Sequence, residues 1–332
     1  MSDIRDLRSL PKCHLHLHLE AAMRPGTLAD LAAQYSLPMP RIGGYETFAD
    51  FVVVYETAVE VLRSPADWER LADEVVADAA AEGVVYLEPA FWAARYRDRF
   101  GPDRDIWHMV IELFAAAAER HGVAVSWLSA VDRVVDDSEA ARGVAELAVE
   151  LMPLGVVSFG LHNDEVGHPP GDFAEPFAIA QEAGLVAAPH AGELDHGVRV
   201  REAVEVLGAT RIGHGVRAVE VPGLVGALAA SGVCLDVCPT SNVILGVVRS
   251  FESHPLGGLL DAGVPCSLNA DDPLMFDTTI LHEYERCRDV LAFSDERLAA
   301  IAKTSIDHAA GLTLDRRVRA LSSVDDWLAG AR

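Results

Sequence analysis

Eight short apolar runs recur along this chain with helical stretches between most of them, and few architectures accommodate that rhythm. The runs fall at residues 14–19, 84–88, 123–130, 156–161, 185–189, 211–213, 233–237 and 264–268. Most are rich in Val, Leu and Ile and bounded by Gly or Pro, as expected of strands buried on both faces. Helical patterns occupy 65–81, 105–121, 138–152, 173–183, 198–207, 221–231, 255–262, 279–290 and 295–307. Alternating strands and helices imply a parallel sheet. Eight such units in 332 residues favour closure into an α/β, (β/α)8 TIM barrel over an open sheet. Two further helical patterns, 28–35 and 48–62, stand with 65–81 between the first two strands and read as an insertion after strand one. No linker composition or internal repeat divides the chain, so residues 1–332 are expected to form one domain.

The first run is unusual. Cys13-His14-Leu15-His16-Leu17-His18-Leu19-Glu20 alternates histidine with leucine. Alternate residues of a strand share a face, so His14, His16 and His18 are expected on one side and the leucines on the other. Three imidazoles in register point to metal ligation, because neutral imidazole is the commonest metal ligand.

Charge narrows the partners. The formal net charge is -24, which repels polyanions, so neither nucleic acid nor an anionic membrane is expected to bind. The first eleven residues are charged and lack an apolar core, and no apolar run reaches membrane-spanning length. A cytoplasmic protein is the expectation. The five cysteines form no C-x-x-C pair, so neither a disulfide framework nor a cysteine metal site is indicated. A homo-oligomer is compatible with such a barrel, although no exposed apolar stripe marks an interface.

The unusual polar residues collect at strand C-terminal ends. His16 and His18 close the first strand, His190 the fifth, His214 the sixth, and Asp271-Asp272 follow the eighth. Singly, each has an ordinary structural use as a core histidine or a turn carboxylate. Together they would meet at the one mouth where barrel active sites form. His16, His18, His190 and Asp271 offer three imidazoles and a carboxylate, a set suited to one zinc ion per chain with a water in the open position. Glu193, Asp272 and His214 remain as acid–base groups. A metal-dependent phosphoesterase or lactonase on the same barrel is the competing reading. It would commonly need a second metal bridged by a carboxylate or a modified lysine, and neither Lys12 nor Lys303 ends a middle strand.

The stretches 11–20, His190-Ala191-Gly192-Glu193, Arg211-Ile212-Gly213-His214-Gly215, Cys238-Pro239-Thr240-Ser241-Asn242 and 267–273 resemble the adenosine deaminase family of zinc-dependent amidohydrolases. The resemblance implies a hydrolase that deaminates a 6-aminopurine nucleoside by zinc-activated attack of water at C6. It implies that Glu193 protonates the purine N1, that His214 orients the attacking water and helps deprotonate it, and that Asp272 meets N7. Glu20, His18, Asn163 and Asp272 are expected to border the substrate, with Glu20 toward the sugar. Several positions depart from the family pattern. His14 replaces a glutamate, Ala21-Ala22 a Gly-Ser or Gly-Ala pair, Ala90 an arginine, and Asn163 a glycine that lets backbone approach the base. These departures imply a changed substrate with conserved chemistry. Free adenine and 6-aminodeoxyfutalosine are the alternatives to adenosine.

Overall fold

The computed structural model describes residues 5–330. Its strands stand where the apolar runs predict. They are β1 (Lys12–His18), β2 (Val84–Phe91), β3 (Ala124–Val125 and Trp127–Asp132) and β4 (Val156–His162). β5 (Val186–Ala187 and His190–Ala191), β6 (Arg211–His214), β7 (Cys234–Val237) and β8 (Cys266–Leu268) complete the set. Every neighbouring pair from β1 to β8 is parallel. The circle closes between β8 and β1. The His18 N–H donates to the Asp271 carbonyl at 3.0 Å, and the Asp271 N–H to the His16 carbonyl at 3.2 Å. With no free edge, the sheet is a (β/α)8 barrel.

β5 is broken where the sequence suggests continuity. Its first piece pairs with β4 and its second with β6. Pro189 lies in the gap and has no N–H for the ladder. The break re-aims His190 at the mouth.

The alternation of β1 is also broken. The N–H groups of Leu15 and His16, consecutive in sequence, both donate to the Asn269 side-chain oxygen, at 2.7 and 3.0 Å. Registry with β2 slips between His14 and Leu17. This irregularity takes His14 off the face of His16. His14 instead borders a cavity outside the barrel with Leu17, Val75, Leu87 and Ile280, and its Nε2 accepts from the Ala270 N–H at 3.1 Å. Only His16 and His18 of the expected trio reach the site.

The insertion after β1 comprises α1 (Pro25–Gln34), α2 (Phe48–Glu60) and α3 (Pro65–Ala81). α2 and α3 begin with reciprocal capping boxes, Thr47 with Asp50 and Ser64 with Asp67, and α3 also has Pro65 in its first turn. The outer layer packs against the barrel through aromatics. The Trp107 ring centroid lies 4.8 Å from Phe91 and 5.7 Å from Trp127. The short helices Arg97–Phe100, Pro239–Ile244 and Pro273–Phe276 fall outside the sequence pattern, and the longest helix outside it is Leu314–Ala329. Ala320, Val324 and Trp327 give it a narrow buried stripe at helical spacing, and the Trp327 indole donates to the Asp6 carbonyl at 2.9 Å. No described helix is long and apolar enough to cross a membrane.

Candidate active site

The strand ends bring His16, His18, His190, His214, Glu193, Asp271 and Asp272 to one place. His16 and His18 come from the end of β1, His190 from the second piece of β5, and His214 from the end of β6. Gly213 makes the crowding possible. A Cβ there would stand 3.0 Å from His16 Cε1 and 3.2 Å from His190 Cγ. Gly192 has φ +69, and a Cβ on it would fall 2.3 Å from Val200 Cγ2, so only glycine turns the chain from His190 to Glu193. Three non-glycine residues at the mouth have left-handed backbones: Asn163 (φ +77), His214 (φ +63) and Asp271 (φ +61). Such strain costs about 1–3 kcal/mol per residue and concentrates at functional sites.

Four donor atoms converge. Asp271 Oδ1 lies 3.1 Å from His16 Nε2 and 3.2 Å from His18 Nε2, and His18 Nε2 lies 3.3 Å from His190 Nε2. The outer nitrogens fix the tautomers. His16 Nδ1 donates to the Asp236 carbonyl at 3.2 Å, and His190 Nδ1 to the Leu161 carbonyl at 2.9 Å. Their Nε2 lone pairs therefore face inward, toward a carboxylate oxygen that can only accept. His16 Nε2 and Asp271 Oδ1 are buried with no hydrogen-bond partner. Something positive must lie between them. Burial alone would depress the His16 imidazole, but Asp271 raises it, so a proton there is one solution. That solution does nothing for His190, which burial and the His16 and His18 rings hold well below the ordinary histidine range. A single divalent cation serves all four atoms, so the donor set fits a metal ion.

The remaining groups surround this cluster. Glu193 Oε2 lies 3.3 Å from His214 Nε2, and its Oε1 is buried without a partner. Burial, then the negative charges of Asp271 and Glu165, push the Glu193 carboxyl well above the usual range. Asp272 is raised in the same way, by burial and then by Asp271 and Glu193, and its Oδ1 is also unpartnered. Glu165 anchors the loop. Its carboxylate accepts from the backbone N–H groups of Gly192 and Asp195, each at 3.1 Å, and of Glu193 at 3.3 Å. Arg133, buried beneath, donates to the His190 carbonyl at 2.6 Å. Glu165 stands at the Glu of the family's Gly-Asp-Glu pattern, whereas Arg133 carried no sequence signal that separated it from other loop charges.

A cleft opens over the cluster. One side is polar: Arg95, Asp132, His162 and Asn163. The other is the α2 face of Phe48, Phe51, Val52 and Tyr55. The sequence hinted at this wall, because α2 is apolar nearly all round and so has two faces to cover. Asn163 lines the cleft as expected, with its Nδ2 donating to both Asp132 oxygens at 3.0 and 2.9 Å. Glu20 does not reach the cleft. Its carboxylate is buried behind α2, accepting from Tyr55 Oη at 2.8 Å and Tyr96 Oη at 2.6 Å. Ala90 also lies off the cleft, packed with Trp92, Leu128, Ala130 and Ala188. Ala22 borders the outer cavity with His14.

A parallel eight-stranded barrel with a histidine–aspartate cluster and buried carboxyl groups at its mouth defines an amidohydrolase-type barrel. Within that class the chain belongs to the adenosine deaminase family, which its residues 11–327 match. It is 38% identical over 341 residues to a Streptomyces virginiae protein named for both adenosine and adenine deamination, covering 99% of this chain and 100% of that one. It is 35% identical over 317 residues to the adenine deaminase of Rhizobium rhizogenes, covering 94% and 97% of the two chains. The crystal structure of adenine deaminase from Arthrobacter aurescens superposes with a TM-score of 0.87 at 29% identity, over 96% of this chain and 99% of that one.

Proposed function

We propose that this protein is a zinc-dependent hydrolase that converts a 6-aminopurine to the 6-oxo product and ammonia, and that its substrate is the free base adenine. The observation that carries the chemistry is Glu193, a buried carboxyl pushed toward its protonated form, with one oxygen unengaged, beside the donor cluster. His16, His18, His190 and Asp271 would hold the ion. Zinc bound by such a set supplies a water whose pKa is lowered toward neutrality.

The protein's own residues do the rest. Glu193 hands its proton to the purine N1, which drains electron density from C6 and opens that carbon to addition of water. One proton of the added water passes to N6, the C6–N6 bond breaks as the C6–O bond becomes double, ammonia leaves, and the second water proton returns to Glu193. Asp272, the second buried carboxyl, is the partner for N7. The left-handed Asn163 replaces the glycine of the family pattern while keeping the backbone shape that the base needs. Tyr55 and the two Phe rings of α2 exclude water from the other side.

Adenine is favoured over a nucleoside by the fate of Glu20. Both its oxygens are taken by tyrosine hydroxyls. The Asp132 oxygens are likewise engaged by Asn163 and by the N–H groups of Val134 and Val135. Apart from Glu193, Asp271 and Asp272 at the reaction centre, the described cleft therefore offers no free carboxylate for a ribose diol, and burying that diol without such a partner is disfavoured.

Steady-state assays of adenine, adenosine, 2′-deoxyadenosine and 6-aminodeoxyfutalosine test this reading. Adenine is expected to lead in kcat/KM by about 100-fold or more. A leading nucleoside would overturn the free-base assignment and keep the chemistry, whereas no turnover of any of the four would overturn both. Dialysis against a chelator should abolish activity, and one equivalent of zinc should restore it. Full activity in demonstrably metal-free protein would remove the ion from the reaction.

A further inference from the structure

His214 faces the reaction centre through Nε2, and its role depends on whether that nitrogen carries a proton. A chain of buried groups on its far side decides the matter. His214 Nδ1 lies 3.1 Å from Asn242 Nδ2. Asn242 Oδ1 lies 3.2 Å from His254 Nε2. His254 Nδ1 accepts from the Leu256 backbone N–H at 3.2 Å. Asn242 is fully buried, His254 nearly so, and neither belongs to the donor cluster or lines the cleft.

Asparagine amide orientations and histidine tautomers are usually interchangeable readings of one geometry. Here they are not, because a backbone N–H can only donate. The Leu256 N–H fixes a lone pair on His254 Nδ1. A neutral His254 then carries its proton on Nε2, and burial keeps it neutral by depressing its pKa to about 4. That proton is donated to Asn242 Oδ1, so the Asn242 NH2 group points at His214. It donates to His214 Nδ1, which must present a lone pair. The His214 proton is left on Nε2, directed at Glu193 Oε2, 3.3 Å away. Turning the Asn242 amide over would set its NH2 against the His254 Nε2–H, two donors facing each other.

We propose that Asn242 and His254 are positioning residues that lock His214 in its Nε2–H tautomer, so that His214 enters the reaction as a hydrogen-bond donor to the attacking oxygen and not as its base. The proposal uses the placement of His214 in the reaction centre described above. It revises the expectation that His214 helps to deprotonate the water. In the locked tautomer the ring nitrogen at the site has no lone pair to receive a proton, and that task falls to another group.

Nitrogen-15 NMR of the imidazole rings reads the tautomer directly. It needs no substrate, so it stands even if the protein deaminates something other than adenine. The His214 signals can be assigned by their loss in His214→Gln. Wild-type protein should show a protonated Nε2 and a lone-pair-bearing Nδ1 for His214. In Asn242→Asp a carboxylate faces Nδ1 and accepts from it, so the two patterns should exchange. With whichever purine is turned over, kcat of that variant should fall by about 10–100-fold with KM changed far less. In His254→Leu the amide loses its anchor, and both tautomers should appear. A wild-type His214 protonated on Nδ1 would overturn the proposal. So would retention of a pure Nε2–H pattern in either variant.

Discussion

Replacing Glu193 with glutamine should lower kcat by about 1,000-fold or more, with KM nearly unchanged and metal content intact. General acid catalysis by a positioned side chain is worth about 100- to 10,000-fold, and three features place Glu193 toward the upper end. Burial and the Asp271 and Glu165 charges raise its carboxyl well above the usual range, which favours the protonated form the reaction needs. Its position is imposed by Gly192 and by the Glu165 carboxylate that gathers the N–H groups of the loop. Its Oε1 has no competing partner. Glutamine keeps the shape and can donate a hydrogen bond to N1, but it cannot transfer the proton. Ground-state binding therefore survives while protonation of the ring is lost, which is the pattern of an interaction made in the transition state. Metal analysis alongside the kinetics makes the result decisive. Loss of the ion would move Glu193 into the ligand set, and undiminished kcat would transfer the acid role to Asp272.

The barrel was legible in the sequence because each of its strands is buried on both faces, and a doubly buried strand has to be a short continuous apolar run. The metal-binding candidates were legible for a related reason. Histidines and aspartates at strand ends, next to apolar runs, have few structural uses together. What the sequence hid depends on local backbone geometry. Period-two alternation predicts a shared face for His14, His16 and His18, but it assumes an unbroken ladder, and the Asn269 side chain interrupts that ladder from the other side of the closure. Glu20 reads as a mouth carboxylate because it follows β1. Only the positions of Tyr55 and Tyr96, 35 and 76 residues away, reveal that it is internal. The Asn242–His254 chain could not be read at all, since its direction is set by one backbone N–H. The apolar α2 was visible as a helix, but its second face became meaningful only once the cleft was seen beneath it.

Arg211→Met should destabilise the protein by about 3–5 kcal/mol, the scale for breaking a buried ion network by removing one partner. Arg211 ends in the barrel interior and engages three strands: Glu88 Oε1 on β2 at 2.6 Å, Asp236 Oδ2 on β7 at 2.9 Å and the Leu15 carbonyl on β1 at 2.8 Å. Burial alone would lower the pKa of its guanidinium, and the neighbouring Asp236 and Glu88 charges more than offset that. The acceptors are themselves satisfied on their other sides. Tyr86 and Ser158 donate to Glu88 at 2.6 and 2.7 Å, and Ser267 to Asp236 at 2.6 Å. Methionine fills much of the volume but leaves two carboxylates buried with no counter-charge. Lysine should not rescue, because one ammonium cannot reach three directions set by a planar fork. The effect should also reach the site. Asp236 supplies the carbonyl that orients His16, and Leu15 adjoins it, so metal affinity should fall by about 10–100-fold, the usual result of disturbing the partners of a metal-binding histidine. Urea unfolding of the metal-free protein measures the first effect and a competitive chelator titration the second. If stability falls while metal affinity holds, the network supports the barrel alone. If both fall together, the charged layer beneath the mouth sets the His16 ring as well as the strands that carry it.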